Sequence, residues 1–205
     1  MAAWRAAVAI DDGFSPLLRN LGWGSWHWGE DLEEAAAWYR RALALSPDEY
    51  RLYVELDRLL EDAQRPPQER LELLEAAPDS VRERWQIAAR LAAALVALGR
   101  WDDALEQLRA HRFIPWEGAR GMRDLWVEAL LGRAQALAEA GDHEGALASC
   151  REALEYPRDL GVGREARPKD EARIWRAMAA IAERMGDARA QAEYLAQAAA
   201  LERQA

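Results

Sequence analysis

Three tryptophans, Trp23, Trp26 and Trp28, fall within six positions of a chain that carries ten tryptophans in 205 residues. Arg19, Trp23 and Trp26 stand at i, i+4 and i+7, so on a 3.6-residue helix they share one stripe, with His27 at its edge. Indoles offer flat polarisable faces and a single N–H, and a guanidinium offers a planar fork for carboxylates or for ring faces. The chemistry of such a stripe is gripping rather than bond-breaking: stacking on a sugar, anchoring an extended peptide, or orienting a carboxylate. Arg51 and Arg58, one hairpin further along, extend its cationic part. The same spacing also describes a core, because Leu18 and Leu21 already supply an apolar face and the indoles can pack against a neighbouring hairpin. Trp38, Trp85, Trp101, Trp126 and Trp175 recur at helix-packing positions and read as structural.

Nothing in the chain assembles into a catalytic constellation. There is no glycine-rich phosphate loop behind a strand, no Gly-x-Ser-x-Gly and no paired His and Cys. Gly161-Val-Gly163-Arg164 lacks a preceding strand and reads as a tight bend. His27, Glu30 and Asp31 gather an imidazole and carboxylates, but His111 and His143 stand alone in other hairpins, so no metal site is expected, and no cofactor. Glu30 and Asp31 suit a helix N-terminus instead.

The formal net charge of −9 argues against nucleic acid or an anionic membrane as partner, since both need a cationic field. No run of eighteen apolar residues is present, and Asp11 and Asp12 interrupt the N-terminal segment too early for a signal peptide. Cys150 is the single cysteine and is expected to be a buried structural thiol, so the compartment reads as reducing cytoplasm.

The elements that must position the stripe are helices. Apolar periodicity and punctuation predict eleven of them, at 2–11, 15–28, 31–46, 48–63, 66–77, 79–98, 101–112, 121–140, 143–156, 168–185 and 187–203, and no strands. A small-residue rhythm recurs along them. Its clearest copy is Ala134, Gly141, Ala146, Ala153, Pro157; further copies centre on Gly22, Gly29 and Ala35, on Gly99 and Ala104, and on Gly186 and Ala198. A fifth, around Tyr53, Leu56, Leu60 and Leu73, is degenerate. Small residues let antiparallel helices approach, the glycines are expected to take φ > 0 at helix ends, and proline stops the second helix.

This rhythm resembles the tetratricopeptide repeat, which implies an all-α, right-handed superhelical solenoid of antiparallel helical hairpins spanning residues 1–205. The strings Tyr-Val-Glu-Leu-Asp (53–57), Arg-Phe-Ile-Pro-Trp-Glu-Gly (112–118) and Glu-Tyr-Pro-Arg-Asp-Leu-Gly-Val-Gly (155–163) further resemble the repeat region of large bacterial proteins that carry a domain of unknown function, family number 5107. That resemblance implies a piece of a longer protein. Residues 2–11 agree with it, because they align with the second helix of a repeat whose first helix is missing. Two departures stand out. Asp57 and Glu69 occupy positions where the repeat has small residues, so the second hairpin is expected to close less tightly. The Gly99–Gly141 and Gly141–Gly186 intervals are 42 and 45 residues, against about 34 in the family; Phe113, Ile114, Trp116, Leu160 and Val162 in these longer connections are expected to dock on neighbouring helices.

The function that follows is a non-enzymatic scaffold for protein–protein or interdomain interaction through the concave face. Arg19, Trp23, Trp26, His27, Arg51 and Arg58 form the expected binding residues. The partner is a protein or peptide segment or other domains of a longer parent, with self-association through the exposed apolar stripe of residues 2–11 as a further outcome. The alternative is an accessory domain of a carbohydrate-active enzyme that contacts saccharide through exposed tryptophans; a plain structural spacer is the third.

Overall fold

The computed structural model describes residues 1–29, 31–114, 120–155, 157, 160 and 168–203. They form twelve helices and, among the described residues, no strand, so the chain is all-α and built of antiparallel hairpins. No helix among them is long and apolar enough to cross a membrane. The packing divides the chain into two units, Met1–Leu98 and Gly99–Ala205.

The first unit holds α1 (Ala2–Ile10), α2 (Ser15–His27), α3 (Leu32–Leu45), α4 (Tyr50–Asp62), α5 (Pro67–Glu75), α6 (Asp79–Arg82) and α7 (Trp85–Ala97). Helices α2 and α3 close on each other through Gly22, where an added Cβ would lie 2.8 Å from the ring of Tyr39. Tyr39 is wholly buried, with Leu18, Ala35 and Ala42 beside it and Leu52, Leu56 and Leu59 of α4 completing the core. Helix α1 packs on α2 without burying any residue fully. A side chain at Gly24 would meet Met1 and, at 3.1 Å, the ring of Trp4, so this glycine gives α1 its seat.

The turn between α4 and α5 carries the unit's departure from the repeat. Gln64 sits at φ 53°, the left-handed conformation that Gly99, Gly141 and Gly186 take at their own turns. Its N–H donates to the Glu61 carbonyl at 2.9 Å and the Arg65 N–H donates to the Leu60 carbonyl at 2.8 Å, which is the paired bonding of a Schellman cap. Pro67 opens α5 where a missing N–H costs nothing. Asp57 is wholly buried where a small residue was expected, and α5 and α7 supply its counter-charges. Arg70 donates from Nε to Asp57 Oδ1 at 2.9 Å, Arg90 donates from Nε to Oδ2, and both guanidiniums also bind Glu61, at 2.8 Å and 2.6 Å. Glu69 lies on the wet side, bound by Arg65 at 2.8 Å and by Arg40 at 3.1 Å.

The continuous helix expected at 79–98 is two helices. Arg84 takes φ −79° and ψ 133° as the N-cap of α7, and Glu83 ends the single turn of α6. The Glu-Arg pair contains no glycine or proline to announce this break. Packing supplies the reason: Val81 is buried from the short turn, and the Arg84 guanidinium lies 4.8 Å from the Tyr50 ring.

The second unit holds α8 (Trp101–Ala110), α9 (Arg120–Glu139), α10 (His143–Leu154), α11 (Pro168–Arg184) and α12 (Ala188–Glu202). Gly141 and Gly186 adopt φ 88° and 73°, and the aspartate that follows each one caps the next helix, Asp142 accepting from the Gly145 N–H and Asp187 from the Ala190 N–H. Consecutive Gly-Asp therefore ends one helix and begins the next within two residues. Gly99 also takes φ > 0, at 71°, as expected. Gly29 does not, and α2 ends with the Trp28 and Gly29 N–H groups both donating to the Gly24 carbonyl. Gly132 lies under Trp101, with ring atoms 2.6 Å from where its Cβ would be. Cys150 is buried, and Trp175 lies 5.7 Å from Tyr194.

Phe113 docks as expected, buried, with its N–H donating to the Leu160 carbonyl at 3.0 Å. Ile114 does not: it is 60% exposed. Trp116 and Val162 lie outside the described residues.

Candidate functional site

Helices α2 and α4 lie side by side through two contacts of equal sequence offset. Arg19 donates from Nε to Glu55 Oε2 at 2.8 Å and from Nη2 to Oε1, and Trp26 donates from Nε1 to Asp62 Oδ2 at 3.2 Å; each pair is 36 residues apart. Equal offsets at positions seven apart on both helices mean that the helices run in the same direction with their stripes facing. On α4 that stripe is Arg51, Glu55, Arg58 and Asp62, spaced i, i+4, i+7 and i+11.

The tryptophans form a continuous aromatic belt at the C-terminal end of α2. Trp23 stacks on His27 with ring centroids 4.3 Å apart and planes 17° apart, and Trp26 lies 4.4 Å from the same imidazole, tilted by 53°. Trp28 meets Trp23 edge-on at 4.9 Å, and Trp4 of α1 stacks on Trp28 at 6.0 Å. Trp28 is 62% exposed, and Trp23 and Trp26 are half-buried, with Trp26 resting on the core of the unit. His27 Nδ1–H donates to the Trp23 carbonyl at 2.9 Å.

The six expected binding residues divide accordingly. Arg19, Trp23, Trp26 and His27 are brought together on α2, and Arg58 stands exposed on the facing stripe with no charge partner among the described residues. Arg51 is also exposed, and its guanidinium lies 5.7 Å from the ring of its own neighbour Tyr50. Glu55, Asp62 and Trp4 are part of the same surface and are not among the residues expected from the sequence. The signal was present for two of them, because Glu55 and Asp62 fall on the stripe defined by Arg51 and Arg58.

These contacts set what the surface can do. Arg19 is held by Glu55, whose hydrogen bond raises the guanidinium pKa further above its ordinary value. Beneath them the buried Tyr39 hydroxyl is pushed far above the usual phenol range, by burial first and by the Glu55 carboxylate second. Neither group transfers a proton near neutral pH. An incoming carboxylate must displace Glu55 to reach Arg19, whereas it meets Arg58 directly. Each belt ring already spends one face or edge on another ring, and Trp28 is the most exposed of the four tryptophans.

By sequence the chain matches no family model and no curated protein. Its fold is matched by solved structures over nearly its whole length. The MamA protein superposes with a TM-score of 0.64 at 14% identity, covering 92% of this chain and 92% of that one. YrrB, described as a TPR protein with an unusual peptide-binding site, gives 0.63 at 18% identity over 97% of this chain and 92% of its own. The MamA 41-end chain from Desulfovibrio magneticus RS-1 gives 0.61 at 17%, over 93% and 96%. At these identities the likeness is one of fold, and the fold is that of the tetratricopeptide helical hairpins.

Proposed function

We propose that the chain is a non-enzymatic scaffold that binds a protein or peptide segment across the facing stripes of α2 and α4. The observation that carries this reading is the aromatic belt of Trp4, Trp28, Trp23, His27 and Trp26, left half open, with the exposed Arg58 on the facing stripe of α4 without a charge partner among the described residues. Exposed tryptophan next to arginine is the composition of binding hot spots, and rings ordered by stacking lose little further entropy on binding. The peptide-binding site named for YrrB agrees with a peptide as the class of partner.

Panning a random peptide library against the full chain tests this. Enriched peptides should bind at least tenfold more weakly to Trp23→Ala and to Arg58→Ala, both with unchanged melting temperature. No enrichment, or enriched peptides indifferent to both substitutions, would remove the proposal. A polysaccharide panel read by tryptophan quenching addresses the carbohydrate alternative, which requires salt-insensitive quenching that Trp28→Ala abolishes. The junction of α1 and α2 adds a second contact surface, since Ile10, the last residue of α1, is 89% exposed and Phe14, the N-cap of α2, is 57% exposed. Concentration-dependent sedimentation that Ile10→Glu suppresses would establish self-association there; a monomer at every concentration excludes it.

A further inference from the structure

Helix α1 carries one charge, Arg5, in nine residues, and Ala2, Ala3, Ala6, Ala9 and Ile10 face solvent. A helix that is apolar on every side is normally covered on every side. Here only one side is covered, and lightly, since no residue of α1 is fully buried. Its seat is nonetheless specific. Arg5 donates from Nη2 to both carboxylate oxygens of Glu34 on α3, at 2.8 Å and 2.9 Å, and the buried Ser25 hydroxyl of α2 donates to the same carboxylate at 2.9 Å. Trp4 stacks on Trp28, Met1 and Trp4 lie over Gly24, and Val8 rests on the core of the unit. The seat therefore recognises α1 by its shape at a glycine, by one ion pair and by one ring stack.

The four residues that join α1 to α2 are held by little. Asp11 and Phe14 are extended, at φ −145° and −100°. The Gly13 N–H donates to Asp11 Oδ1 at 2.9 Å, and Asp12 accepts from Arg41 at 3.0 Å, both at the surface. Pro16 has no N–H to give a carbonyl four residues back, so α2 does not grow through the linker into α1. Opening this linker releases α1 as an apolar arm, complementary to one place in the unit.

We propose that α1 exchanges between two copies of the chain, each copy's α1 occupying the other's seat on α2 and α3. The seat itself names the occupant, because every contact that α1 makes within its own chain is re-formed between chains. Further contact is added at the hinge. The two linkers pass each other at the two-fold axis, where the exposed Ile10 and Phe14 of both copies can cover one another. A short hinge favours exchange, since few residues have to reverse the chain in the closed form. This mechanism is independent of the α2–α4 surface. It rests on the self-association read at the junction of α1 and α2, and differs from a plain surface contact in that α1 leaves its own chain.

The test uses the full chain and sedimentation velocity. The parent should dimerise as its concentration rises. Deleting residues 11–13 leaves one linker residue, fewer than the two or more that join antiparallel helices, so the shortened chain should be dimeric where the parent is still monomeric. Arg5→Glu and Glu34→Arg should each weaken the dimer at least tenfold. Mixed in equal amounts, they should form a one-to-one heterodimer at least tenfold tighter than either homodimer, because exchange places opposite charges in both seats. A shortened chain that stays monomeric, or a heterodimer no tighter than the homodimers, overturns the exchange; a parent that still dimerises then leaves the surface contact at Ile10 and Phe14 standing. A monomer at every concentration, for parent and shortened chain alike, overturns both. Glu34→Arg also removes the acceptor of the Ser25 hydroxyl. Should its melting curve show that it does not fold, the shortened chain decides alone: α1 amides protected from hydrogen exchange in its dimer support the exchange, and unprotected ones overturn it.

Discussion

Replacing Asp57 by alanine should destabilise the first unit far more than any surface charge removal. Asp57 is wholly buried, and the Arg70 and Arg90 side chains that bind it are only 6% and 17% exposed. Without it, two largely buried guanidiniums share a single carboxylate, Glu61, which is 45% exposed. Breaking a buried pair by removing one partner costs about 3–5 kcal/mol, because the desolvated charge left behind is uncompensated. Water reaches Arg90 from one side and Glu61 retains both arginines, so the low end, about 3 kcal/mol, is expected. In a cooperative unfolding of the unit Met1–Leu98, this lowers the melting temperature by roughly 12 °C or more. Urea denaturation followed by both tryptophan fluorescence and circular dichroism measures it. Arg65→Ala, which removes exposed pairs with Glu69 and Glu33, is the control and should leave the denaturation midpoint close to the parent's. The double variant Asp57→Ala/Arg70→Met should recover part of the loss, since it removes an orphaned charge along with its partner. Asp57→Ala within about 1 kcal/mol of the parent, or a double variant as damaged as the sum of the singles, would refute the account of the network.

Five further outcomes follow from single positions. Gly141→Val should cost about 1–2 kcal/mol by denaturant titration, because φ is 88° and nothing crowds the site, so the cost is conformational alone; Gln64→Gly, at φ 53°, should move stability the other way by up to about 1 kcal/mol. Gly22→Ala should lower the melting temperature even though alanine favours helix by about 1 kcal/mol, because the new methyl meets the immobile Tyr39 ring at 2.8 Å; a rise would place the α2–α3 contact wrongly. Burial pushes the Glu61 carboxyl up, but the hydrogen bonds and charges of Arg90 and Arg70 outweigh it and hold the group below its ordinary 4.5. A lowered folded pKa makes its contribution complete above about pH 4.5 and lost as pH falls through the folded value, so Glu61→Gln should flatten that acidic limb of the stability curve, modestly given the group's exposure. The Cys150 thiol, pushed up to about 11 by burial, should resist iodoacetamide at pH 8 in the folded chain and react once urea is added; equal rates would mean that it is accessible.

What the amino-acid sequence determined by itself is the part of the structure that neighbours along the chain control. Helix positions follow from apolar periodicity, and the turns at Gly99, Gly141 and Gly186 follow because a left-handed residue at a helix end is cheap only for glycine. The all-α hairpin fold was legible for that reason, as was the common stripe of Arg19, Trp23 and Trp26. Tertiary structure decided where distant side chains meet. Asp57 reads in sequence as a poor fit for a tight hairpin, and becomes compatible only because Arg70, thirteen residues on, and Arg90, thirty-three on, converge on it. Gln64 takes a turn conformation its residue type disfavours because the helices on either side hold the ends of the turn in place. The break at Glu83–Arg84 carries no local signal, since it serves the burial of Val81 and the stacking of Arg84 on Tyr50. Arg19 appears in sequence as a free cation for a partner, yet the fold places Glu55 on it, while Arg58 is left without a charge partner among the described residues. Charge pairing acts through space over a few ångströms, so a one-dimensional pattern states which residues can pair and only the packed helices select the pairs that form.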